Sequence, residues 1–285
     1  MPTWLINFPH ITDIDFAGYI DQFVYYLSDD WGNVFDFIKS ILLFVVSNIQ
    51  KGLDLLPWWV LILIVIYAGK KLVGSYKSGI IFGVMLFFVG IFGYWDMMNE
   101  TLAIVISAVL ISLAIGLPIG IFLANSTDKY IRPILDAMQT MPTFVYMIPA
   151  VMLLGPGKVP AILATVVYAV VPVIRLTAHG IRQVDVEIVE AAKAFGSSKW
   201  QILKKVQIPQ ALPTIMTGVN QTMMMAVAMV VTCSMIGANG LGMEVLIAIN
   251  RTESGRGLIA GVCIVIIAII IDRLTQSFSQ GRGSK

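Results

Sequence analysis

Residues 190–209 read EAAKAFGSSKWQILKKVQIP, a lysine-bearing, water-compatible stretch in a chain that is 58% hydrophobic and only 13% charged. Its surroundings decide the fold. A mean hydropathy of +0.85 over 285 residues is too high for a soluble globular domain, where apolar content is roughly 45–50%. Working outward, charge-free windows occupy 206–243 and 257–271 on one side, and 159–174, 137–157, 101–127, 78–95 and 55–69 on the other. A spanning helix needs about 20 mostly apolar residues. The short windows end on Lys70, Lys71, Arg175 or Arg273, whose long side chains reach an interface. The pattern predicts an all-α polytopic membrane protein with about seven spans.

With seven spans, alternate loops share a side. Placing 190–209 in the cytoplasm leaves only Lys39, Lys51, Lys158, Arg251 and Arg256 outside, of 19 basic residues. The positive-inside rule selects this orientation over its inverse. The N-terminus is then outside and the C-terminus inside. Residues 1–38, with no Lys or Arg and six Asp, do not oppose export. No basic n-region precedes a long apolar stretch, so no cleaved signal peptide is expected.

Residues 31–52 place Val34, Ile38, Ile41, Val45 and Ile49 at helical spacing, while Asp36, Lys39, Ser47 and Gln50 interrupt the apolar character. That pattern suits a helix lying in the outer interface. The alternative is an eighth span, but Lys39 and Lys51 enclose only 11 charge-free residues, short of a bilayer. The expected organisation is an outside tail and interfacial amphipathic helix (1–54), two additional spans (55–95), a transmembrane domain (96–275) with a cytoplasmic segment at 183–209, and a cytoplasmic tail (276–285).

Within the cytoplasmic segment, Val184, Ile188, Ala191, Ala192 and Phe195 recur along one helical face. Asp185, Glu187 and Glu190 gather near the start, where the helix dipole favours negative charge. Gly196 permits a sharp exit into Ser197. Ser198 and Gln201 have capping-box spacing, so a second short helix starts there, ending at Pro209 and Pro213 before the next span. The small pair Ala191-Ala192 lets another backbone approach closely, as a docking surface requires.

These residues carry a resemblance. Glu190-Ala191-Ala192, then Gly196, then Val206-Gln207-Ile208-Pro209 resembles the EAA---G---------I-LP signature of ABC importer permeases, with Val206 and Ile208 as mild aliphatic departures. The resemblance covers about residues 95–275. MQTMPTFVYMIPAVMLLGPGKVPAILATVVYAVVPVIR and SMIGANGLG look like the glycine betaine and proline betaine branch, and the N-terminal extension suits that branch better than the shorter choline, carnitine and methionine permeases. The likeness implies a type I ABC importer transmembrane domain. It also implies that Glu187, Glu190, Ala191, Ala192, Phe195, Gly196 and Ser197 couple to a cytoplasmic ATPase, present in two copies. Further implications are an extracellular or periplasmic substrate-binding protein, a permease homodimer and residence in a bacterial cell membrane.

The chain has no G-x-x-x-x-G-K-[ST] motif, so no ATP or Mg is expected on it; both belong to the partner subunit. Cys233 and Cys263 fall in apolar windows and His10 and His179 are isolated, which suggests neither disulfide nor metal. A net charge of +2 argues against nucleic acid. No carboxylate sits in the middle of an expected span, which counts against an ion-coupled secondary transporter. Permeases for choline, carnitine or proline are alternatives. Phe144 and Tyr146 could meet a quaternary ammonium through their ring faces, and Asn220, Gln221 and Thr222 could line a path. Each could equally pack or bond between helices.

Orientation is directly testable. In a background lacking Cys233 and Cys263, a cysteine at Ser28 should react with an impermeant thiol reagent on intact cells, and one at Ser197 only after the inner face is opened. Labelling at Ser197 from outside would refute the orientation, while shielding at Ser28 alone would make residues 31–52 an eighth span.

Overall fold

A computed structural model describes residues 15–125 and 131–280 of the chain. The expected tail residues 1–14, Lys129 and residues 281–285, with Arg282 and Lys285, lie outside them. Among the described residues every regular element is helical: α1 (Phe16–Asp30), α2 (Gly32–Asp54), α3 (Trp58–Val73), α4 (Tyr76–Ile91), α5 (Trp95–Ala124), α6 (Ile131–Thr140), α7 (Thr143–Leu154), α8 (Lys158–Arg182), α9 (Val186–Ala194), α10 (Lys199–Ile202), α11 (Ile208–Cys233), α12 (Leu241–Arg251) and α13 (Ser254–Gln280). This is what lipid requires, since a helix satisfies its own backbone donors and acceptors.

By length and composition, five of these segments could cross a membrane: α2, α5, α8, the continuous run Lys199–Ile236 and α13. The α6–α7 pair adds a sixth if its arms form one span. Three expectations change. The apolar window at 137–157 is not one straight helix, because α6 and α7 meet at 92°. Pro142 sits at the bend in an extended conformation, φ −53° and ψ 134°. Its ring removes an N–H and fixes φ, which turns the chain. The helix begun at Ser198 does not stop at Pro209. A π-turn, Leu203–Gln207, carries it into α11, and Pro209 falls in the first turn of α11, where its missing N–H costs little. Third, the helix α12 follows a left-handed Gly237 and Gly240 within what reads in sequence as the end of a long apolar window.

α2, expected on the outer surface, is a 23-residue helix that meets the span criterion. The helix covers the stretch expected over 31–52 and runs on through Lys39 and Lys51, and its length suits either an interfacial helix or a span. Leu42 and Val46 are buried in the main core. Gln50 Oε1 accepts from Lys158 Nζ at 2.7 Å, and a Cβ on Gly155 would stand 3.9 Å from Lys39 Nζ. α2 is thus tied to the start of α8 through the Gln50–Lys158 bond, with Lys39 close to the Gly155 backbone. α3 and α4, expected as the first two spans, have 16 residues each, about 24 Å at 1.5 Å per residue.

α8 is the axis of the bundle and is buried along most of its length. α5 and α11 approach it through glycines. A Cβ on Gly120 would lie 2.8 Å from the Ile174 carbonyl oxygen, and one on Gly218 would lie 3.2 Å from Val173 Cα. Small residues at such crossings allow the close dispersion contacts on which association in lipid relies. The main core joins Ala103, Ala108, Ile162, Ala169, Ala226 and Val230. α3, α4 and α13 form a second core around Phe82, Val89, Cys263 and Ile267. Polar fasteners gather at the 155–158 end: Lys158 pairs with Glu100 at 3.0 Å, Asn99 donates to Asp54 at 3.2 Å, and Leu241 N donates to Thr101 Oγ1 at 2.9 Å.

The α3–α4 hairpin depends on Gly69 and Gly79, because a Cβ on Gly69 would stand 2.7 Å from Gly79 Cα. Gly79→Leu should lower stability by about 1–3 kcal/mol through overpacking, read as an earlier thermal transition in detergent. Gly52→Ala, which meets nothing within 4 Å, should not. Equal transitions for the two variants would rule out this contact as a determinant.

Candidate functional site

The segment 183–209 is built by caps at each turn. Asp185 accepts from Glu187 N at 2.9 Å and starts α9. Gly196 ends it at φ +77°, with Gly196 N donating to Lys193 O at 2.9 Å and Ser197 N to Ala192 O at 3.1 Å. This pair of bonds is a Schellman close, and it needs the left-handed residue. Ser198 then opens α10 with a complete capping box: Ser198 N donates to Gln201 Oε1 at 2.8 Å, and Gln201 N to Ser198 Oγ at 3.3 Å.

The apolar face expected along α9 is divided. Val184 is buried and Val189 packs on the cluster of Ile181, Leu203, Ala211 and Ile215, and Ala192 is half-buried. Ile188, Ala191 and Phe195 point away, as do Glu187 and Glu190, with Phe195 91% exposed. Trp200 is 68% exposed nearby, and sequence reasoning had not singled it out. An open groove of about 540 Å³ between α9, α10 and the end of α5 is lined by Val189, Lys193, Trp200 and Leu203 with Asn125. An aromatic pair this exposed, flanked by lysines and carboxylates, has the makings of a protein-docking surface.

The five path candidates do not converge, and no hydrogen bond joins any two of them among the described residues. Phe144 and Gln221 are exposed. Tyr146 is half-buried, and its hydroxyl and that of the buried Thr222 lack a partner in the structure. Asn220 is committed to helix pairing: its Nδ2 donates to Asp272 Oδ1 at 2.9 Å, and its Oδ1 accepts from the Thr275 hydroxyl. Asp272 was missed because it directly follows the charge-free window. It lies near the C-terminal end of the candidate span Ser254–Ser277, away from its middle.

Residues 116–283, more than half of the chain, match the family described as the binding-protein-dependent transport system inner membrane component. The chain belongs to this family. The permease is 44% identical over 279 residues to the glycine betaine/carnitine transport permease protein GbuB of Listeria monocytogenes, covering 95% of this chain and 98% of that one. It is 41% identical to the glycine betaine transport system permease protein OpuAB of Bacillus subtilis, covering 95% and 97%. With the glycine betaine/proline betaine permease protein ProW of Escherichia coli it shares 42%, covering 97% and 79%. An inward-facing structure of the MetNI methionine ABC transporter superposes with a TM-score of 0.59 at 22% identity, over 66% of this chain and 95% of that one. That likeness establishes the fold. The permease is a multi-pass transport subunit, and ATP hydrolysis belongs to a separate ATPase of the importer.

The α11–α13 fastening makes a prediction. Asn220→Ala strips Asp272 of its donor and should cost about 1–2 kcal/mol of stability, while Thr275→Val should cost less. An unchanged melting temperature for Asn220→Ala would show that the carboxylate is satisfied by other groups.

Proposed function

We propose that this permease takes up glycine betaine or a related quaternary-ammonium compatible solute, for osmoprotection, in a bacterial ATP-driven importer. The observation that carries the solute class is that three relatives, at 41–44% identity, are each named for glycine betaine. Two copies of the chain form the pathway. Each docks one ATPase subunit through Glu187, Glu190, Ala191, Ala192, Phe195, Gly196 and Ser197, with Trp200 beside them. The exposed face of α9 supports this reading, since Phe195 and Ile188 offer apolar anchors and the two glutamates frame them. ATP and Mg are held by the ATPase pair. Its closure draws the two docking segments together and turns the pathway outward, where a binding protein delivers solute. The N-terminus is outside and the C-terminus cytoplasmic. Phe144, Tyr146, Gln221 and Thr222 remain the path candidates, and Asn220 acts on the path through Asp272.

The test uses the permease reconstituted with its ATPase and binding protein. Glycine betaine should stimulate ATP hydrolysis more than methionine does. Gly196→Val should cut uptake at least tenfold at normal membrane insertion, because a β-branched residue resists φ +77°. Glu190→Arg should weaken ATPase co-purification. Normal uptake in both variants would refute the coupling assignment, and stimulation by methionine alone would refute the solute class.

A further inference from the structure

Arg182 is the last residue of α8, three positions before Asp185 caps α9. Its Nε donates to the Ala124 carbonyl at 3.2 Å, and an Nη donates to that of Leu123. We propose that Arg182 is a positioning residue for coupling: it clamps the end of α5 to the segment 183–209, so that the two move together. The inference rests on that segment being the part that meets the ATPase.

The end of α5 gives the reason for a guanidinium at this place. The last carbonyls of a helix have no partner within it and carry the negative end of its dipole. Asn125 closes two of them, its N donating to Phe122 O at 3.3 Å and its Nδ2 to Ile121 O at 3.4 Å. Leu123 and Ala124 come next, and Arg182 donates to both. A planar fork on neighbouring carbonyls fixes rotation as well as separation, which a single ammonium does not.

Packing shows what the clamp joins. α5 and α8 run side by side in the same direction, since Gly116 faces Val173 and Gly120 faces Thr177. Arg182 closes that row where α8 gives way to the segment. Ile121 and Ala124 of α5 pack on the cluster of Ile181, Val184, Leu203, Ala211 and Ile215, and so does Val189 of α9. Apolar contacts of this kind have no preferred direction, whereas charge-assisted hydrogen bonds add geometric specificity. Asn125 also lines the groove beside Val189 and Lys193, so the end of α5 adjoins α9.

α5 then has somewhere to carry the movement. Near its other end Glu100 pairs with Lys158 at the start of α8, and Thr101 Oγ1 accepts from Leu241 N at the start of α12. One helix, Trp95–Ala124, thus links the clamp to the junction with α8 and α12.

The experiment uses the importer reconstituted in vesicles, with glycine betaine uptake and ATP hydrolysis measured together. Arg182→Gln should lower the solute taken up per ATP about fivefold, a modest coupling between sites, at normal ATPase co-purification. Arg182→Lys, which can meet one carbonyl, should fall between Arg182→Gln and the native chain. Arg273→Gln, at an exposed arginine on α13, should change nothing. In the permease alone, lacking Cys233 and Cys263, spin labels at Phe122 and Lys193 should give a narrow distance that broadens in Arg182→Gln. If Arg182→Gln fails to insert, the same comparisons are read on Arg182→Lys. An unchanged ratio overturns the proposal even if the melting temperature falls, because Arg182 is then a fastener only. Loss of ATPase co-purification overturns it by placing Arg182 in the docking face. An unbroadened distance overturns it by showing that α5 is held without the clamp. Failure of the coupling reading itself shows differently, as normal co-purification and uptake in Glu190→Arg while the distance still broadens in Arg182→Gln.

Discussion

The approach of two helices to α8 at glycine contacts underlies the rest of the molecule. Lipid offers little hydrophobic reward for burying one apolar helix against another, so association depends on dispersion at short range and on interhelical hydrogen bonds. Gly120 and Gly218 remove the side chains that would hold α5 and α11 away from α8. Once α8 is enclosed, its two ends fix where polarity collects. Lys158 meets Glu100 and Gln50 at one end, while Arg175 and Arg182 meet Asp136 and the α5 carbonyls at the other. The segment 183–209 hangs directly from this second end through Val184 and Val189.

Much of this was legible in residue order. Hydropathy gave the class, because a charged content of 13% is about half that of ordinary soluble domains. Cap chemistry gave the helix–turn–helix of 183–202 nearly residue by residue: Asp185, Gly196, Ser198 and Gln201 each do in the structure what their side chains allow. Those are local effects settled within one turn of helix, so sequence spacing suffices to see them. The family signature sits on the same residues, which is why fold and family could be read together.

What escaped were effects that need a second helix or a count of continuous helix. Pro142 and Pro209 are both punctuation in sequence, yet one bends the chain by 92° and the other is absorbed by a neighbouring π-turn. Backbone context around each proline decides the outcome, and composition does not report it. The bond of Asn220 to Asp272 was not legible because the partner lies on another helix, 52 positions away. The division of the α9 face likewise followed from packing against Leu203 and Ala211, which no periodicity reveals.

The π-turn has a mechanical meaning. By carrying α10 into α11 without a break in the helical run, it makes Lys199–Ile236 one 38-residue segment, about 57 Å along its path at 1.5 Å per residue. One end adjoins the exposed Trp200, and at the other the Ile236 carbonyl accepts from Gly157 N at 3.0 Å, in the turn that precedes α8. A beam of that length converts a tilt of about five degrees into a displacement of about 5 Å at its far tip. A displacement at the lysine-rich end is therefore passed along one continuous helical path to the 155–157 turn, with Pro213 inside α11 as the place where that path can flex.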